Sequence, residues 1–296
     1  MKSLFSDKEI LVMDGAMGTQ LIAHGLPQGH PSILWNVERP ALVFCVHESY
    51  ADAGADWLTT NTFGGSTLML NRSGLGDRLR ELNLSAVDLA RKAARGRCRV
   101  LGDIGPCGGF LEPLGELTEV DLAEAVDAQA WILADAGVDG FVVETMSDPN
   151  EMRVTIAAVK RYGLPIIASY TFEHAAGGCR TMMGVRPHEA SRTALEAGAD
   201  IVGANCGTSL SLDDYLLLGE ELVAAAEGVP VMLQPNAGTP VATDGVLRYR
   251  VSPTDFAAWA QCATTLGVRI IGGCCGTRPA HIAAAVHAVK KADRPK

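Results

Sequence analysis

Eight times along the chain a short apolar, β-branched run ends in glycine or polar residues and gives way to a helical pattern. The runs are ILVMDGA (10–16), WLTTNTF (57–63), CRVLGDIGP (98–106), GFVVETM (140–146), PIIASYTF (165–172), IVGANC (201–206), VMLQPNAG (231–238) and VRIIGGCCG (268–276). Their apolar character is continuous rather than alternating, which suits strands covered on both faces, as in a parallel sheet. The intervening segments carry helix starts: Asp148-Pro149 with Glu151, Ser252-Pro253 with Asp255, and Thr118 with Asp121. The phrases AGAD (53–56), AGVDG (136–140), AGAD (197–200) and LGVR (266–269) close helices with glycine and lead into the next strand. Eight βα units without a linker or low-complexity stretch predict α/β architecture: one (β/α)8 TIM barrel over residues 1–296, with its active site at the C-terminal ends of the strands.

A chain of 296 residues, 48% hydrophobic and 20% charged, can bury a core of that size. Its net charge of −9, with no long Lys/Arg cluster, argues against nucleic acid or a membrane surface as partner and leaves small-molecule chemistry. The opening MKSLFSDKEI lacks the apolar core of a signal peptide, and no apolar run approaches a membrane span, so a cytoplasmic protein is expected. Eight cysteines are far too few for a disulfide scaffold; in a reducing compartment they serve as packing, ligands or nucleophiles.

The barrel places Asp14, Asn61, Thr62, Asp103, Glu144, Cys206, Asn236, Cys274 and Cys275 at the strand ends. Three thiols from the sixth and eighth strands, close across one sector of the ring, suit Zn²⁺, a borderline-soft ion that takes thiolates tetrahedrally. Successive strand residues point to opposite faces, so Cys274 and Cys275 cannot both serve one ion from a regular strand. The glycines around them, and Gly203 and Gly207 around Cys206, permit the necessary bend. The bland alternative, buried apolar cysteine, is assigned to Cys45, Cys98, Cys107, Cys179 and Cys262, which have no sulfur partner in view. Three thiolates make a weakly acidic zinc, poor for generating hydroxide and good for holding a further thiolate. A free thiol with a pKa of about 8.5 is mostly protonated at neutral pH, whereas a coordinated one is ionised. The chemistry suggested is alkylation of a substrate thiol.

GANC with GGCCGT, together with DGAMGTQL, TNTFGG, GPCGG, VVET and PNAGTP, resembles the homocysteine S-methyltransferase family over nearly the whole chain. The resemblance implies a zinc-containing barrel that methylates homocysteine to methionine. Carried over by position, it makes Cys206, Cys274 and Cys275 the zinc ligands and Glu144 the partner of the substrate ammonium. It gives the DGAMG turn, from Asp14 and Gly15 to Gly18, to the rest of the amino acid. An anionic side chain for an ammonium and glycine-rich amides for a carboxylate are physically reasonable. Each has a plainer alternative: an ion pair within the mouth for Glu144, a turn cap for Asp14, a loop fastening for Asn236.

Members of the family differ in methyl donor. Some use small onium compounds such as glycine betaine, S-methylmethionine or S-adenosylmethionine; others, the first barrel of cobalamin-dependent methionine synthase, use a methylated corrinoid. ETMSD and AGADWLTTNTFG look like the second branch, LWNVERP and RTMMGVRP like short bacterial betaine–homocysteine methyltransferases. A quaternary ammonium donor wants an aromatic face, and Trp35, in the loop after the first strand, is the candidate wall. That favours a small onium donor, with a corrinoid protein as the alternative partner and packing as the alternative role of Trp35. Transfer to a thiolate is an in-line displacement that needs no general base, so none of the seven histidines is required. A Schiff-base aldolase would want a strand lysine, and the lysines lie in the N-terminal segment, helices and tail. A zinc- or thiol-binding accessory barrel without turnover is the rival from another class. Outer helices of this fold often pair, so a homo-oligomer is compatible with the sequence.

Overall fold

The computed structural model describes residues 10–243 and 246–291. The eight runs form eight strands: β1 (Leu11–Val12), β2 (Trp57–Thr59), β3 (Arg99–Ile104), β4 (Gly140–Met146), β5 (Ile166–Tyr170), β6 (Ile201–Cys206), β7 (Val231–Pro235) and β8 (Ile270–Ile271). They pair in parallel in the order β1-β8-β7-β6-β5-β4-β3-β2, and a parallel bridge between Met13 and Trp57 joins the two ends into a ring. Helices such as Pro40–Asp52, Glu119–Asp135, Leu212–Ala225 and Pro279–Lys291 run back outside it. This is the (β/α)8 barrel expected from the sequence.

Period-two alternation explains why the strand runs are apolar throughout. Leu11, Met13, Trp57, Leu101, Val142, Ile167, Ile201, Met232 and Ile270 form one buried cluster inside the ring. Their neighbours Val12, Leu58, Val100, Phe141, Val202, Leu233 and Ile271 belong to the larger core between ring and helices. Both faces exclude water, so neither can carry a polar stripe.

The predicted caps form. Asp148 accepts from Asn150 N–H, Ser252 from Asp255 N–H, and Thr118 and Asp121 make a reciprocal box. Glu151 does other work, accepting the Cys107 N–H at 2.6 Å and so tying the loop after β3 to helix Pro149–Lys160, which follows β4. The acidic residue of three glycine phrases also has a purpose. Asp56 accepts from Val12 N–H, Asp139 from Val100 N–H and Asp200 from Ile166 N–H, each fastening the strand it precedes to the one before it.

Strands β1, β2 and β8 are shorter than the runs that predict them. After the rung from Met13 N–H to the Ile271 carbonyl, the backbone turns and binds across the mouth: Gly273 N–H to the Asp14 carbonyl, Cys274 N–H to that of Pro235. Cys98 and Cys107 are buried as expected, but Cys45 and Cys262 are exposed, on solvent-facing positions of their helices. Among the described residues no helix is long and apolar enough to cross a membrane.

Candidate metal centre

Counting by two past the apolar layer along the inner face of the ring reaches Thr59, Asp103, Glu144, Ser169, Asn205 and Gln234. These side chains form a polar layer at the carboxyl ends of the strands. Gly203, two residues before Asn205 on β6 and in register with Met232, has no room for a side chain: a Cβ there would stand 2.3 Å from the Met232 carbonyl oxygen.

The three predicted thiols converge above this layer. The Sγ atoms of Cys206, Cys274 and Cys275 lie within 4.8 Å of one another. Three sulfurs each about 2.3 Å from a tetrahedral zinc would be separated by roughly 3.8 Å, so small rotations bring them into range. Residues 201, 203 and 205 face the interior, which would send Cys206 outward. Its backbone is instead left-handed, φ +63°, followed by Gly207 at +74°, and this reversal aims the thiol at the mouth. The Tyr215 hydroxyl pins the turn by donating to the Cys206 carbonyl at 2.8 Å. In the turn after β8 the bend comes at Gly276, φ +79°, where a Cβ would meet the Tyr249 ring at 2.0 Å. Gly273 answers crowding, since its Cβ would lie 2.6 Å from Thr277 Oγ1. The glycines permit the bend as expected, but the decisive residue at β6 is the cysteine itself.

The sulfurs already share protons unequally. Hydrogen bonds donated by Cys206 and Cys274, and by the Tyr249 hydroxyl, pull the Cys275 thiol down to about 3, against its burial. For Cys206 a hydrogen bond from Cys274 acts downward, but donation to Cys275 and burial outweigh it and hold the thiol near 12. One thiolate supported by neighbouring donors is the starting state of a soft-metal site, and its donor set fits Zn²⁺.

Beside the sulfurs is a cavity of about 240 Å³, lined by Gly15 to Thr19, Thr59 to Asn61, Phe63, Asp103, Glu144, Thr145, Cys206, Gln234 and the 273–275 turn, with Ser32 at its edge. No lysine, arginine or histidine is among these lining residues. Burial pushes Glu144 up to about 7, although hydrogen bonds from Asp103, Thr145 and Asn205 oppose it. Asn205, fully buried, uses all four positions of its amide. Nδ2 donates to Glu144 and to Thr145 Oγ1 at 2.7 Å; Oδ1 accepts from Ser169 Oγ at 2.6 Å and Thr145 N–H at 2.9 Å. Thr145 is left-handed, φ +60°, at a bulge in the β4–β5 ladder, so β4 ends with Glu144 held from β6.

A profile of the homocysteine S-methyltransferase family matches residues 11–289. The chain belongs to that family, one of S-methyltransferase enzymes. It is 33% identical over 312 aligned positions to the methionine synthase of Mycobacterium tuberculosis and 30% identical over 306 to that of Mycobacterium leprae. The alignments take in 98% and 96% of this chain but 25% and 24% of those proteins, so the chain spans about a quarter of the length of these relatives. Among solved structures, the oxidized form of the Escherichia coli homocysteine methyltransferase MmuM is similar at TM-score 0.74 and 26% identity, with 94% of this chain and 96% of that one covered. The metallated form of MmuM gives a TM-score of 0.76 at 24% identity, over the same shares, a likeness of fold.

Within this family barrel the other predicted site residues divide. Gly15 lines the cavity and must be glycine, since a Cβ would lie 2.7 Å from Thr277 Oγ1 and 2.9 Å from the Tyr50 ring. Asp14 lies just behind, its carboxyl accepting from Thr59 N–H at 2.8 Å and from Thr59 Oγ1; burial drives it up to about 8 despite those bonds. Asn236 donates to the Gly207 carbonyl at 3.0 Å and faces the Cys206 sulfur, while its Oδ1 is buried without a hydrogen-bond partner among the described residues. Trp35 is only 7% exposed, in the core under helix Trp35–Glu38 and outside the lining residues. The aromatic side chain among the residues lining the cavity is Phe63, 39% exposed. Sequence reasoning gave no role to Asn205, Gln234 or Tyr249; alternation from the apolar layer would have found the first two.

Proposed function

We propose that this chain is a zinc-dependent homocysteine S-methyltransferase, its barrel acting as one homocysteine-binding domain over residues 1–296. The convergence of three thiols beside the half-buried Glu144 carboxylate in one small cavity carries the reading. Cys206, Cys274 and Cys275 would hold the ion; MmuM, of similar fold, has a metallated form. Zinc bound there would take the substrate thiol as its fourth ligand and keep it ionised at neutral pH. Glu144, fixed by Asn205, receives the ammonium, and the Gly15–Gly18 turn offers peptide groups to the amino-acid carboxylate. Asp14 supports that turn through Thr59, and Asn236 steadies the Cys206 turn through Gly207. The thiolate sulfur attacks the donor methyl carbon in line; the S–C bond forms as the methyl-to-donor bond breaks, and the electron pair leaves with the donor.

Carboxyl groups and sulfurs without a cationic side chain favour a cationic methyl donor, and a small onium compound such as glycine betaine is our first choice. Phe63 rather than Trp35 offers it a ring face. The second reading, a methylated corrinoid protein as donor, is favoured by the 33% identity to a methionine synthase. Purified protein, zinc and homocysteine should give methionine with glycine betaine; turnover only with a methylated corrinoid protein would select the second reading. Binding of zinc and homocysteine with no turnover from either donor class would leave an accessory barrel.

A further inference from the structure

Asp103 is a buried acid that the reaction above does not use. It sits on β3, two residues beyond Leu101 of the apolar layer, and pairs in register with Val142, which is two residues before Glu144 on β4. The two carboxyl groups therefore stand side by side on the inner face, within hydrogen-bonding reach of each other. Asp103 is 6% exposed and its Oδ1 is buried with no hydrogen-bond donor among the described residues. Its backbone is fully occupied: Thr60 Oγ1 accepts from Asp103 N–H at 3.0 Å, and Thr62 Oγ1 donates to the carbonyl at 2.7 Å. The titratable groups facing the side chain are Glu144 from β4 and Asp14 from the end of β1, both acids.

A buried carboxyl oxygen that meets only other acids is satisfied when it carries a proton and donates it. We propose that Asp103 is a positioning residue: it remains a carboxylic acid and donates a hydrogen bond to Glu144, so that the pair presents one negative charge to one substrate ammonium. The proposal rests on the assignment of Glu144 to the amino group. Two ionised carboxylates so close in a dry site repel, and burial together with the Glu144 charge drives Asp103 well above the usual carboxylate range. The proton enters no bond-making step; it orients Glu144 and fixes the charge of the pocket. A single charge suits an amino acid that brings one ammonium, and discriminates against a dication only weakly bound by one carboxylate.

The test uses the full-length chain in two measurements. In infrared difference spectra at pH 7 without substrate, Asp103→Asn should remove a protonated-carboxyl C=O band; loss of an ionised-carboxylate band instead would overturn the proposal. On zinc-loaded protein, calorimetry with homocysteine should find Asp103→Asn, whose amide can still donate, within about threefold of wild type. Asp103→Leu should bind roughly 10- to 100-fold more weakly at unchanged zinc content, the loss of one hydrogen bond to a charged group. Asp103→Asn as weak as Asp103→Leu would mean that the residue acts as an anion, and equal affinity of all three would mean that it does not act on Glu144. Failure of the wild-type protein to bind homocysteine would refute the functional reading, while the infrared result would still decide the protonation of Asp103.

Discussion

Replacing Asn205 with alanine should loosen the site and the barrel together, by amounts that can be worked from its four hydrogen bonds. The side chain is fully buried and bridges Glu144 and Thr145 on β4 to Ser169 on β5. Truncation leaves the Ser169 hydroxyl and the Thr145 N–H without that partner, at about 1–3 kcal/mol for each buried polar group. Adding the cavity left by a medium-sized side chain, the loss is about 4 kcal/mol, or a fall in Tm of roughly 8–15 °C for a domain of this size. Glu144 at the same time loses a charge-assisted hydrogen bond, so the KM for homocysteine should rise at least tenfold, roughly 1.4 kcal/mol, with zinc content intact. Thermal unfolding, metal analysis and steady-state kinetics on one preparation measure all three. A large fall in Tm with unchanged KM would refute the role of Asn205 as the clamp on Glu144. A Tm within about 1 °C of wild type would refute the hydrogen-bond network itself.

Two other perturbations follow from buried groups away from the cavity. His47 is buried in helix Pro40–Asp52 with neither ring nitrogen hydrogen-bonded among the described residues, and burial lowers it to about 4. Because its folded value lies below the unfolded one of about 6.5, the unfolded chain takes up the proton first, and stability falls as pH drops from about 6.5 towards 4. His47→Leu should therefore gain about 2–3 kcal/mol on wild type between pH 7 and pH 4.5 in urea unfolding; parallel pH curves for the two proteins would contradict this. Trp35→Ala should cost about 3–5 kcal/mol of stability, as a buried ring does, and leave the KM for an onium donor within about twofold. A raised donor KM without loss of stability would return the ring to the mouth.

Much of this is legible in the sequence. The strands announce themselves because both of their faces are buried, and the glycine phrases punctuate them at even intervals. The sulfurs are legible because three of them fall on the active face of a fold whose active face is known in advance. Trp35 was misplaced because a loop position names a side of the barrel but not the direction of a ring, which here turns into the core beneath its own helix. The left-handed backbone of Cys206 is invisible in composition, since the residue that adopts it is not a glycine. The Asp103–Glu144 pair needs the register of β3 against β4, Leu101 opposite Gly140, which no local pattern encodes. Alternation does encode Asn205 and Gln234, and extending it past the apolar layer turns a list of strand ends into a list of inward side chains.

Cys206, Cys274 and Cys275 are proposed to form one soft-metal site whose remaining position takes the substrate thiol. X-ray absorption at the zinc edge of the loaded protein tests it most directly. Without homocysteine the ion should have three sulfur neighbours at about 2.3 Å and one lighter atom; with homocysteine it should have four sulfurs. A first shell that keeps three sulfurs when homocysteine is bound, or that never contains three, would contradict it.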